Sequence, residues 1–189
     1  MNPLERPAPS TDHLSRVANL LDAVSRAEIR AMAEALDRAR RSGDTVFLLG
    51  NGGSGATALH LGNDLARTAR PGVPALRAHC LVGNPSLVSA LANDFGYDQV
   101  FVRQLKVLCR PTDVVLGISG SGKSANCLAA LEHARAIGAA TLGLLGFDGG
   151  PMKRLCDLSV HVPSYDYLEI EDAHLSIAHS LVHSLRHEL

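Results

Sequence analysis

Apolar residues recur at three- and four-residue spacing through Leu14, Val17, Leu20, Leu21 and Val24, which predicts an amphipathic helix from Thr11 with Ser10 or Thr11 as its cap. A second helix is predicted over 26–41, with Ile29, Met32, Ala33, Leu36 and Ala39 on one side and Ser42-Gly43 as its stop. Both helices must cover a sheet or a partner subunit. Residues 1–10 carry three prolines and are expected to form a flexible arm. From residue 45 the pattern changes. Apolar runs at Thr45–Leu49, Ala75–Cys80, Val114–Ile118, Thr141–Leu145 and Leu158–Val162 predict strands. Helical patterns fall between them, at about 54–69, 85–109, 124–137 and 151–156, and a last helix is predicted over 168–187. Continuous apolar strands separated by helices indicate an α/β fold with a parallel sheet covered on both faces.

Composition narrows the classes. The 189 residues suffice for one domain, taken as 11–189, with helices at 11–42 and a sheet core at 45–163. A net charge of −1 argues against nucleic acid or an anionic membrane as partner. With no Trp and 4% aromatics, stacking platforms for bases or sugars are not expected. Cys80, Cys109, Cys127 and Cys156 form no CxxC pair and read as buried, reduced thiols of a cytoplasmic protein. There is no secretory signal pattern and no run of the length needed to span a bilayer. Nine His are present, and His161, His174, His179, His183 and His187 crowd the C-terminal end.

Two glycine–serine loops follow predicted strands. Gly50, Gly52 and Gly55 satisfy GxGxxG, and Gly117 to Ser124 satisfies GxxxxGK[ST]. Singly, these propose a dinucleotide fold and a P-loop nucleotidase. A dinucleotide site would need an acid at the end of the second strand, and 75–84 has none. A P-loop normally follows the first strand; here two strands precede it. Asp148 sits in a turn-like FDGG, a weak second acid for a nucleotidase. A cradle of helix amides and the hydroxyls of Ser119, Ser121 and Ser124, with Lys123 as the only cation in the loops, suits one phosphomonoester better.

The segments GNGGSGATALHLGNDLA, ANDFGYDQVFVRQL, GISGSGKSANCLAALEHARAIGA, DGGPMKRLCD and VPS…IEDAHLSIAH occur in this order. In them the chain resembles the sugar isomerase (SIS) domain, and within it the phosphoheptose (sedoheptulose 7-phosphate) isomerases, from about residue 10 to the C-terminus. The resemblance implies a three-layer αβα fold with a five-stranded, flavodoxin-like parallel sheet and an N-terminal helical layer. It also implies a homotetramer with active sites between subunits. It carries phosphate contacts onto Ser119, Gly120, Ser121 and Ser124, and sugar contacts onto Asn51, Gly52, Gly53, Ser54, Asn93 and Asp94. Zinc or another divalent ion would be held by His60, Asp64, Glu171 and His179, with Glu171 also touching substrate and Asp64 and His179 as the acid–base pair. Four positions depart from the family pattern: Asp64 for Glu, Glu171 for Gln, Gly120 for Thr and Leu168 for Asp.

The residues themselves speak to this chemistry. His60 and Asp64 are four apart and share a helix face. Glu171 and His179 are eight apart, about 12 Å along a helix axis, a long reach for one ion. His174 offers an alternative partner near a site, whereas His183 and His187 suit surface or interface packing. A carboxylate and an imidazole suffice for an isomerisation through an enediol. The rivals are a non-catalytic SIS scaffold of the replication-initiator-binding type, a sugar-phosphate sensor, and a P-loop kinase. Ionisable Asp64 and His179, which scaffold relatives replace, favour an enzyme.

Overall fold

The computed structural model describes residues 10–189; the arm expected at 1–10 and the side chains of Ser10 and Thr11 lie outside the described part. Two helices open the chain, α1 (Ser10–Ala23) and α2 (Arg26–Ser42). Ser25 caps α2 by accepting from the Glu28 N–H, and Gly43, at φ 76°, ends it in the left-handed conformation that glycine tolerates. Then β1 (Thr45–Leu49), α3 (Gly52–Leu65), β2 (Arg77–Cys80), α4 (Pro85–Phe95), a 3₁₀ turn (Tyr97–Gln99) and α5 (Val102–Leu108) follow. The second half runs β3 (Val114–Ser119), α6 (Ala125–Ile137), β4 (Ala140–Leu145), α7 (Met152–Leu155), β5 (Leu158–His161) and α8 (Tyr167–His187).

The five strands form one parallel sheet in the order β2-β1-β3-β4-β5. Alternate residues of β1 supply its two faces. Val46 and Leu48 join a core with Met32 and Leu36 of α2, Leu61 of α3 and Leu181 of α8. Phe47 and Leu49 join the opposite core with Phe101, Leu105, Leu131 and Met152. That alternation is the period-two geometry of a strand with both faces covered. The edge strands are less covered: in β2 Arg77 and His79 are exposed while Ala78 and Cys80 are half-buried, and in β5 only Val160 is fully buried.

Two expectations change. The continuous helix predicted over 85–109 is broken, because Gly96 turns the chain at φ 93° and the 3₁₀ turn redirects it into α5. The thiols are all free, but only Cys127 is fully buried. Desolvation nevertheless pushes Cys127 and Cys156 up to about 12, leaving both inert at neutral pH. Among the described residues no helix is long and apolar enough to cross a membrane.

Candidate functional site

In this strand order the connection reverses between β1 and β3, and a crevice opens beyond their carboxyl ends at that switch point. The two glycine–serine loops leave those two strands, so pairing of β1 with β3 sets them side by side. They line a cleft of about 260 Å³ that holds Asn51 to Ser54 from the first loop, Ser119 to Ser121 and Ser124 from the second, and Glu171 from α8. Neither N-cap side chain, Asn51 of α3 or Ser124 of α6, accepts from its own first helical turn. Two helix N-termini therefore meet the cleft; in α6 the Cys127 N–H donates to Asn126 Oδ1 at 2.9 Å, while the first N–H groups of each helix have no intrahelical carbonyl, a setting that favours an anion.

Local bonds hold the loops in shape. Ser119 Oγ accepts from the Gly122 N–H at 3.0 Å, and Ser121 Oγ accepts from the Lys123 N–H at 3.3 Å. Gly122, at φ 63°, sits so close to the Gly149 carbonyl that a Cβ could not be placed there. The loops are tied to each other by a reciprocal amide pair: Asn51 Nδ2 donates to Asn126 Oδ1 and Asn126 Nδ2 to Asn51 Oδ1, each at 2.9 Å. The Tyr97 hydroxyl donates to Asn51 Oδ1 at 3.0 Å. Asn93 and Asp94, expected at the sugar, do not line this cleft; they are exposed at the end of α4, and Asn93 Nδ2 donates to Asp94 Oδ1 at 2.9 Å. Lys123 also turns away. It lines a separate surface cleft with Asp148, Lys153 and Arg154, so the GxxxxGK[ST] match has no lysine among its serines. Asp148 does sit in a turn, accepting from the Gly150 N–H at 3.0 Å.

A second group lies further along the same helices. His60 and Asp64 share a face of α3, and His179 of α8 reaches the same point. His60 Nε2 is 3.0 Å from His179 Nε2 and 3.3 Å from Asp64 Oδ2, and His179 Nε2 is 3.9 Å from that oxygen. Ligands at about 2.0–2.1 Å from a tetrahedral zinc stand about 3.4 Å apart, so these three donors fit one ion with a fourth position open. Two imidazoles and a carboxylate are also a chemically suitable set for such an ion. Among the described residues this is the only group of its kind. Glu171, expected as a fourth ligand, is not in it. Its carboxylate lies over Gly53, in the space a side chain at 53 would take. The cause is the two helical turns between Glu171 and His179, which carry them to opposite ends of the α3–α8 contact.

His174 is not part of either group. It is fully buried, and neither ring nitrogen has a hydrogen-bond partner. Burial pushes it down from an ordinary 6.5 to about 4; the nearby Leu145 carbonyl opposes this without meeting hydrogen-bond geometry. The imidazole is therefore neutral in the folded protein and takes up a proton only on unfolding or in acid. Its contribution to stability is whole above pH 6.5 and is lost as pH falls towards 4. In that window wild-type stability should fall more steeply than that of His174→Leu, by up to about 1.4 kcal/mol per pH unit. Parallel curves from pH-dependent denaturant melts would contradict this. His183 and His187 lie exposed on α8 with ring centroids 4.7 Å apart.

Sequence reasoning missed Asn126, Tyr97 and Tyr167 at the cleft. Asn126 stood in a quoted motif, two residues after Ser124, and its position in the first turn of α6 was the available signal. The tyrosines carried no spacing signal.

A family model described as SIS domain matches residues 12–146. The phosphoheptose isomerase of Pelobacter propionicus is 45% identical over 148 residues, covering 78% of each chain. That of Trichlorobacter lovleyi is 38% identical over 173 residues, 90% of this chain and 86% of the relative. The chain belongs to the phosphoheptose isomerase family of SIS-domain proteins. The solved structure of a phosphoheptose isomerase from Francisella tularensis matches the fold with a TM-score of 0.86 at 28% identity, covering 94% of each chain. The five-stranded parallel α/β architecture is thus the SIS fold, and the nucleotidase and dinucleotide readings of the loops fall away.

Proposed function

We propose that Asp64 and His179 carry the proton transfers of this family member, an aldose–ketose isomerase, while the serine cleft holds the substrate's phosphate. The substrate pair is sedoheptulose 7-phosphate and D-glycero-D-manno-heptose 7-phosphate. The observation that carries this reading is a separation. Gly53 and Glu171 mark the cleft end of the α3–α8 contact, and His60 and His179 mark the other. Seven residues of α3 place these rungs about 10 Å apart. An open seven-carbon chain, with C–C bonds of about 1.5 Å, extends about 8 Å from end to end. A terminal phosphate in the cleft therefore leaves the far carbons of the opened sugar at the triad.

The chemistry follows from what stands there. Asp64 takes a proton from C1 of the ketose, the electron pair forms the C1–C2 double bond, and the C2 oxygen takes a proton from His179. Return of a proton to C2 and loss of one from the C1 oxygen yields the aldose. Serine hydroxyls and the two helix N-termini fix the phosphate, and the Asn51–Asn126 pair keeps the loops in register. The carboxylate of Glu171, beside Gly53, is placed to accept hydrogen bonds from sugar hydroxyls. His60, Asp64 and His179 would hold a divalent ion, zinc by their donor set; when bound it would polarise the carbonyl and steady the oxyanion.

Two further features belong to the reading. Half of each imidazole at the triad is exposed, and Leu14, Phe95 and Val107 are exposed apolar residues; both support a homo-oligomer, a tetramer in the family's pattern, that covers the site. Four free thiols support a reducing, cytoplasmic setting. The test is direct. Purified protein should convert sedoheptulose 7-phosphate, carry about one divalent ion per chain as three converging donors require, lose activity with chelation and regain it with zinc. His60→Ala should lose the ion under dialysis that leaves wild type loaded. An active protein with no ion would refute the metal assignment, and absence of turnover would refute the substrate.

A further inference from the structure

The chain holds four Phe and three Tyr and no Trp, and one Phe and two Tyr cluster together. One tyrosine, Tyr167, lines the cleft, and the other two are linked to it or to its residues. Tyr97 bonds Asn51, and Tyr165 and Tyr167 flank Phe147, at 5.2 and 4.8 Å between ring centroids. Phe147 is the only described non-glycine residue with positive φ, at 47°. Its N–H donates to the Ser164 carbonyl at 2.9 Å, and its carbonyl lies 2.8 Å from His161 Nε2. Such a conformation is costly for a bulky residue and persists only where the surroundings impose it. Here it presents the ring to both tyrosines.

Tyr167 is the member that lines the cleft. Asp166 caps α8 by accepting from the Leu168 N–H at 2.9 Å, which makes Tyr167 the first helical residue and directs its ring back over the loop. There it lies against Gly120: a Cβ at 120 would stand 2.9 Å from the Tyr167 Cδ1 and Cε1 atoms. The ring thus fills the space a side chain at 120 would need. It remains half-exposed, 52%, so it is not a core residue that happens to pass by.

We infer that Tyr167 is a specificity-determining residue: its ring is an aromatic wall beside the phosphate cradle, against which the C–H face of the sugar's carbon chain packs. The inference rests on the proposed sugar phosphate site and adds a contact that phosphate alone cannot make. Aromatic faces gain from apolar contact at the edge of a wet site, and a polyol chain offers C–H groups between its hydroxyls.

The test uses sorbitol 6-phosphate, which has no carbonyl to isomerise, and inorganic phosphate, both titrated calorimetrically into the full-length protein. Tyr167→Ala should weaken sorbitol 6-phosphate about tenfold and inorganic phosphate by less than about twofold. Tyr167→Phe should keep both affinities, because the ring and not the hydroxyl acts. Gly120→Ala should displace the ring and weaken sorbitol 6-phosphate in the same way, and should add little in the double variant with Tyr167→Ala. Equal loss for both ligands, full additivity, or no loss would overturn the inference. Turnover of sedoheptulose 7-phosphate by wild type is followed in parallel. Discrimination without turnover faults the proposed function and leaves the wall standing; turnover without discrimination does the reverse.

Discussion

Asp64→Asn is expected to lower kcat on sedoheptulose 7-phosphate by about 10³-fold, within the span that removal of a general base produces. The amide has nearly the shape of the carboxylate, so packing on α3 should survive, but it cannot take a proton from carbon. Asp64 is mostly covered while both imidazoles beside it are about half-exposed. Its oxygen, 3.3 Å from His60 Nε2 and 3.9 Å from His179 Nε2, also supplies the only negative charge in the group. The variant should therefore hold a divalent ion less tightly as well. Steady-state kinetics with saturating zinc separate the two effects: a deficit that remains at saturation belongs to proton transfer. Near-normal turnover would remove Asp64 from the mechanism.

The largest stability effect should come from far outside the site. Arg40 is buried, its side chain fully so, and its guanidinium pairs with Asp37 and donates to the Leu185 carbonyl at 2.9 Å. Leu185 lies in the last helical turns of α8, where carbonyls have no intrahelical partner, so Arg40 serves as a cap from a neighbouring helix. Arg41 adds a bond to Asp37 at 2.6 Å and one to the Leu189 carbonyl at 3.0 Å. Asp37→Ala would leave the Arg40 charge buried and unpaired. A loss of about 3–5 kcal/mol is expected from denaturant unfolding, a large part of the typical 5–15 kcal/mol of a domain. Arg41→Ala, at an exposed guanidinium, should cost under about 1 kcal/mol. A small loss in Asp37→Ala would mean that Arg40 finds water on opening.

Much of this molecule was legible one residue at a time. Four of the five strands match to within a residue: β1, β3 and β4 are apolar runs buried on both faces, and the edge strand β5 is marked by Leu158, Val160 and Val162. The fifth, edge strand β2, begins two residues later than the predicted 75–80, and one side of it faces outward. The helix through 85–109 failed at Gly96: periodicity continued across it, and a single positive φ interrupted what spacing alone could not. Among the candidate site residues, His60 and Asp64 were legible together because four-residue spacing is a local property of a helix. The second loop's serines were legible because a strand–loop–helix unit carries its own geometry.

The remaining site arises from pairings between distant segments. Glu171 and His179 could be assigned to one ion by family pattern, yet two helical turns separate them, so only His179 reaches the triad. Asn93 and Asp94 belong to a quoted motif but stand outside the cleft, whereas Tyr97, three residues beyond, bonds into it. Tyr167 against Gly120, and Asn51 against Asn126, are contacts across 47 and 75 residues of chain. Local periodicity, caps and loop composition are written in neighbouring residues, so the sequence alone determined the α/β class, the two anion-ready loops and the His60–Asp64 pair. Which side chains share a cleft depends on the β1–β3 pairing and on how α8 lies along α3, and those are set by the packing of two cores at once, a property no single segment carries.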